Sequence, residues 1–190
     1  MFLDRIIAGL KRAAGLTPAH FDSGAAAPAR EADGAVVTTA RAAMAAAPEI
    51  VRRLVDPSAE GHRWGLRGDK VEAVDRVRGL YRLTDRRMPD EPFLIQIEAA
   101  TGPGVVATTV FGDGGAPIGA VVKSSSRYEI APAPGGSDVT LTERTWFVDG
   151  LPDRQLKHHA HMMASGVRID LFRLKEEAEN AAAGRAVKRA

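Results

Sequence analysis

The segment from Pro152 to about Ala182 limits the possible folds more than any other part of this chain. Leu156, Ala160, Met163, Val167, Leu171, Leu174 and Ala178 recur at three- and four-residue steps, so they share one face of a helix. Proline and Asp153 open it in the way a helix N-terminus requires. At 1.5 Å per residue such a helix is ~45 Å long, the full width of a small domain. A helix that long with one apolar stripe needs a broad partner surface.

The residues before it supply that surface. Val36 to Met44 reads as a strand with Val36, Thr38, Ala40, Ala42 and Met44 on one side. Pro48 then opens a short helix with Ile50, Val51, Leu54 and Val55 as its apolar face, ended by Asp56-Pro57. A second short helix or turn is expected around Ser58 to Trp64. From Lys70 onward the period changes to two. Val71, Ala73, Asp75 and Val77 alternate with charged residues, and Gly79, Tyr81 and Leu83 follow. Further period-two runs are Phe93, Ile95, Ile97 and Ala99, then Val105, Ala107, Thr109 and Phe111. Val122, Ser124, Ser126, Tyr128 and Ile130 make the next, and Val139, Leu141, Glu143, Thr145 and Phe147 the last. Short Gly/Pro turns join these runs, which predicts an antiparallel meander with one buried face. The fold class is therefore α+β: a curved antiparallel sheet packed on one long C-terminal helix.

The chain divides into an amphipathic helix at 1–16, a linker at 17–34, the main domain at 35–182 and a basic tail at 183–190. In the first helix Phe2, Leu3, Ile6, Ile7 and Leu10 share a face, and the charges that interrupt it argue against a secretion signal. That face needs a cover: the domain itself, another copy, or a membrane surface met by Arg5, Lys11 and Arg12. Met162, Ile169 and Phe172 lie away from the inner stripe of the long helix and form a second apolar patch that can meet it.

Composition excludes several functions. The 26 basic and 24 acidic residues are scattered and only 5% of residues are aromatic, which is not the footprint of a nucleic-acid binder. The absence of cysteine removes disulfides and thiolate chemistry, and fits a cytoplasmic protein. His158, His159 and His161 do not share one helix face with a carboxylate, so no metal site is expected. No glycine-rich phosphate cradle or nucleophile motif occurs, and no cofactor is expected.

The order of elements resembles the helix-grip fold of the START-like (SRPBCC) superfamily, which includes polyketide cyclases and dehydrases, lipid-transfer proteins and Bet v 1-type plant allergens. Three segments carry the resemblance: Pro48 to Pro57, the hairpin from Arg127 through Gly135-Gly136 to Glu143, and Leu171 to Glu179. It covers roughly residues 35–182. It implies an internal cavity between sheet and helix for an apolar or aromatic small molecule, in a carrier, in a cyclase- or dehydratase-type enzyme, or in a protein anchored to a membrane by its first helix. The expected lining is Tyr128, Leu141, Glu143, Phe147, Met163 and Val167. Three residues are candidates for acid–base work. Glu143 shares a strand face with Leu141 and Phe147, unless a bulge turns it outward, and His159 and Asp170 flank the inner stripe of the helix. His62 and Trp64 stand either at the cavity entrance or in the core.

Overall fold

The computed structural model describes residues 28–66, 68–86, 89–98 and 104–185. The expected helix at 1–16 and most of the tail lie outside the described residues. The elements are β1 (Ala29–Arg30), β2 (Val36–Met44), α1 (Pro48–Val55), α2 (Arg63–Leu66), β3 (Lys70–Asp75) and β4 (Leu80–Thr84). They continue with β5 (Phe93–Ile97), β6 (Val105–Gly112), β7 (Val121–Ala133), β8 (Gly136–Phe147) and α3 (Asp153–Ala182). All strands join one antiparallel sheet in the order β1-β2-β8-β7-β6-β5-β4-β3. The sheet curves around α3, which lies against β2 and β8.

The hairpin β7–β8 sets the register of the centre. Gly135 has φ +80°, the left-handed conformation that the third position of a Pro-Gly turn requires. From this two-residue turn, Tyr128 pairs with Leu141, Ser126 with Glu143 and Ser124 with Thr145. A Cβ on Gly136 would collide with the Met44 carbonyl, so only glycine lets β2 end against this hairpin.

One end of the interior is tightly closed. Val51, Leu54 and Val55 of α1 meet Val167, Leu171, Leu174 and Ala178 of α3 over Ala40, Met44, Val139 and Leu141 of the sheet. Leu54, Leu141, Val167 and Leu174 are at most 1% exposed. Each such aliphatic side chain contributes roughly 1.5–3 kcal/mol of burial. Lys175 Nζ donates to the Ala43 carbonyl at 2.6 Å, and Glu179 accepts from the Ala45 amide at 3.0 Å. These bonds fix the C-terminal part of α3 to the end of β2.

Several expectations need correction. β1 lies inside the stretch expected to be linker and pairs with β2. The second short element comprises turns over 57–61 and the helix Arg63–Leu66, which runs two residues past the expected end at Trp64. Val77 does not extend β3: it sits in the β3–β4 turn and is 98% exposed. A register shift between Val121 and Lys123 turns Val122 outward and buries Val121 in its place. Ile169, expected on the outer side of α3, is 3% exposed.

Candidate functional site in the sheet–helix interior

Strand β8 sends Ser137, Val139, Leu141, Glu143 and Thr145 to the concave face. Glu143 is therefore directed inward, with no bulge turning it out. Its register partners are Thr38 on β2 and Ser126 on β7, and Ser126 in turn pairs with Thr108 on β6. Thr38, Glu143, Ser126 and Thr108 thus form a polar row across the floor, with Ser124 and Thr145 in the next row. The row one step towards the closed end is Ala40, Leu141, Tyr128 and Val106, all buried.

Burial pushes the Glu143 carboxyl up to about 7. The Ser124 hydroxyl, donating to Oε1 at 2.9 Å, works against that rise. The Asp170 carboxylate adds to it, and Ser126 and Thr145 oppose it.

A second group of polar side chains closes over this row from the helices. Arg63, at the start of α2, is 2% exposed. Its Nη1 donates to Asp170 Oδ2 at 2.7 Å, its Nε to Glu177 Oε2 at 3.0 Å, and its Nη2 to the Asp170 carbonyl at 3.2 Å. Burial disfavours its charge, but Asp170 and then Glu177 override that and raise its basicity. Tyr128 Oη donates to the same Asp170 Oδ2 at 3.0 Å. Burial pushes the Tyr128 hydroxyl well above its usual range, with Asp170 adding to the effect. The Asp170 side chain is 37% exposed, so the cluster is reachable from solvent on that side.

The expected residues separate into three groups. Tyr128, Leu141 and Val167 belong to the packed cluster under α1. Glu143, Tyr128 and Asp170 come together around the polar row. His159 stands apart from Asp170, stacked on Phe147 with ring centroids 5.8 Å apart. Helix α3 thus passes from Phe147, at His159, to Tyr128, at Asp170. Met163 lies between these two points along the helix. Leu156, Ala160 and Met163 share the inner stripe with Val167 and Leu174, yet they remain only half-buried. The stripe is closed at its C-terminal half and loosely covered at its N-terminal half. A separate groove of about 540 Å³ lies at the other end of α3, bordered by Arg53, Leu54, Glu60, Leu66, Ala181 and Arg185. His62 is half-buried beside Trp64, at 5.8 Å between rings.

Arg63 and Glu177 were not expected. A four-residue helix has no periodicity that marks a buried cation, and Glu177 reads as an ordinary surface charge. Ser124 and Ser126 carried a usable signal, since counting back from a two-residue turn at Pro134-Gly135 pairs Ser126 with Glu143.

The desolvation of this half-buried carboxyl has a thermodynamic consequence. Its midpoint of about 7 lies above the ordinary 4.5 of an unfolded chain. Well below 4.5 both states are protonated and the ionisation of Glu143 costs nothing. As pH rises towards 7 the unfolded state ionises first, so stability falls, and the cost levels off above that. The span from 4.5 to about 7 corresponds to on the order of 3 kcal/mol. Glu143→Gln is expected to match the wild type at acid pH and to exceed its stability in alkaline solution, measured by urea unfolding. A pH-independent difference between the two would show that Glu143 is not desolvated.

Comparison with solved structures identifies the architecture as the START-like helix-grip fold. The protein described as Ara h 8.0201 aligns with a TM-score of 0.58 at 16% identity, over 80% of this chain and 100% of its own. A START superfamily protein from Mycobacterium smegmatis aligns with a TM-score of 0.54 at 13% identity, over 78% and 97%. The di-domain ARO/CYC StfQ from the steffimycin biosynthetic pathway aligns at 0.57 and 13% identity, over 78% of this chain and 52% of its own. No protein-family model matches the sequence, and no curated protein matches it.

Proposed function

We propose that this protein binds a small apolar or aromatic molecule between the concave face of the sheet and the N-terminal half of α3. The observation that carries this reading is the change in burial along one helix stripe. Val167, Leu171, Leu174 and Ala178 are 0–3% exposed, whereas Leu156, Ala160 and Met163 are not fully covered. Apolar side chains left half-covered above a polar row suit a concave ligand site with a few orienting groups. The helix-grip architecture shared with a START superfamily protein and with an ARO/CYC supports the same ligand class.

A second reading, a proton-transferring enzyme of the cyclase or dehydratase type, is favoured by one observation. Glu143 titrates near 7 beside the Tyr128–Asp170 pair, which suits a group that gives and takes protons in neutral solution. Attachment to a membrane or to a second copy through residues 1–16 rests on sequence alone. No helix among the described residues is long and apolar enough to cross a membrane.

The neutral, polarity-sensitive naphthyl ketone dye prodan tests the binding reading. Its emission is expected to shift to the blue on mixing with the protein, and long-chain fatty alcohols are expected to displace it. Met163→Arg, which puts a guanidinium over the site, is expected to weaken binding at least about tenfold, the effect of losing roughly 1.4 kcal/mol. A folded protein that leaves the dye in water contradicts the reading.

A further inference from the structure

Among the described residues, the buried Arg63 guanidinium meets the Asp170 and Glu177 carboxyl groups, and it is committed. Arg63 is held by Asp170 and Glu177 through three hydrogen bonds. The Tyr128 hydroxyl is committed too, because it donates to Asp170 Oδ2 at 3.0 Å. Glu143 is held by hydroxyl groups: Ser124 at 2.9 Å, with Ser126 and Thr145 beside it. The groups facing it are Tyr128 from β7, Asp170 from α3 and, at the neighbouring register position, Thr38 from β2. Arg63 of α2 reaches this cluster through Asp170. Asp170 therefore sets a fixed negative charge near a carboxyl group that burial already makes reluctant to ionise.

Below its midpoint of about 7 that carboxyl group keeps its proton and offers an O–H donor. A ligand atom that accepts this bond is favoured, while a ligand carboxylate would bring further negative charge towards Asp170 and Glu177. We propose that the chain of contacts Arg63–Asp170–Tyr128 is a positioning device that makes Glu143 a hydrogen-bond donor, so that the site selects apolar molecules carrying a carbonyl-type oxygen over those carrying a carboxylate. This inference rests on the interior-binding reading and names the ligand chemistry within it. Asp170 acts here through Glu143 rather than by touching the ligand.

The test compares prodan, a ketone, with naphthaleneacetate, a carboxylate, from well below to well above the Glu143 midpoint of about 7. Prodan does not titrate in this range, so any change in its affinity reports the protein. Its affinity is expected to fall about tenfold across the midpoint as Glu143 loses its proton, the size of one lost hydrogen bond. In Asp170→Asn the fall is expected at lower pH, because the neighbouring charge is gone, with affinity in acid solution retained. In Glu143→Ala the pH dependence is expected to vanish. Naphthaleneacetate is expected to compete poorly with prodan in neutral solution. The wild-type profile and Glu143→Ala decide the matter even if Asp170→Asn fails to fold. Prodan binding that is flat with pH, a folded Asp170→Asn with an unmoved profile, or tight binding of naphthaleneacetate would overturn the inference and leave the binding reading standing. Absence of prodan binding at every pH would overturn both.

Discussion

Leu174→Asp is expected to abolish cooperative folding. Leu174 has 0% exposure and lies where α3, α1 and the sheet meet. The substitution removes roughly 2 kcal/mol of apolar burial and places a carboxyl among aliphatic side chains at a cost of several kcal/mol more. Together these approach the whole stability of an ordinary domain, about 5–15 kcal/mol. If the variant folds at all, its thermal midpoint by circular dichroism should fall by at least about 10 °C. Leu156→Asp, on the same stripe at its half-covered end, should fall much less. Equal effects at the two positions would mean that the stripe is not closed at one end and open at the other.

Arg63→Met is expected to be the second most damaging change, for an electrostatic reason. The methionine fills much of the same volume, so packing loss is small. It leaves Asp170 and Glu177 without their shared cation, and Glu177 is only 12% exposed. Breaking a buried ion pair on one side costs about 3–5 kcal/mol, and the lower end applies here because Asp170 is 37% exposed. The cost comes from negative charge that has lost its Arg63 counterpart, so it should shrink as acid protonates the carboxyl groups. Urea unfolding of wild type and variant in neutral and in acid solution measures this. A deficit that stays the same in acid would mean that Arg63 matters for packing and not for charge.

Much of the fold was legible because two periodicities are unmistakable. The 3.6-residue stripe of α3 ends where the structure ends it, at Ala182. The boundaries of β2, Val36 to Met44, were also readable, since Pro48 and the alternation limit them on either side. Errors arose where local pattern and tertiary context disagree. Val122 continues an alternation in sequence, but the irregularity between Val121 and Lys123 inverts the faces. Val71, Ala73 and Asp75 alternate as buried residues should, yet β3 is the last strand of the sheet and is largely exposed.

The candidate site was legible in part for the same reason. Glu143 could be placed inward by counting along its strand, and Asp170 by its position beside the helix stripe. Their relation to each other could not be read, because it depends on how α3 crosses β8 and on Arg63, which reaches them from a separate short helix. A long-range ion pair leaves no periodic trace in sequence. The expectation that Tyr128, Leu141 and Val167 line the same space as Phe147 and Met163 followed from shared faces alone. The α1 helix fills the space over the first three and leaves the others less covered.

The proposed ligand site lies over Glu143 under the N-terminal half of α3, and not in the groove at the helix's other end. Intermolecular NMR contacts between prodan and methyl-labelled protein test it most directly. Contacts are expected from the dye to the Met163 methyl and to Ala160 and Leu156. Contacts confined to Leu54, Leu66 and Ala181 would put the ligand in the groove and contradict it.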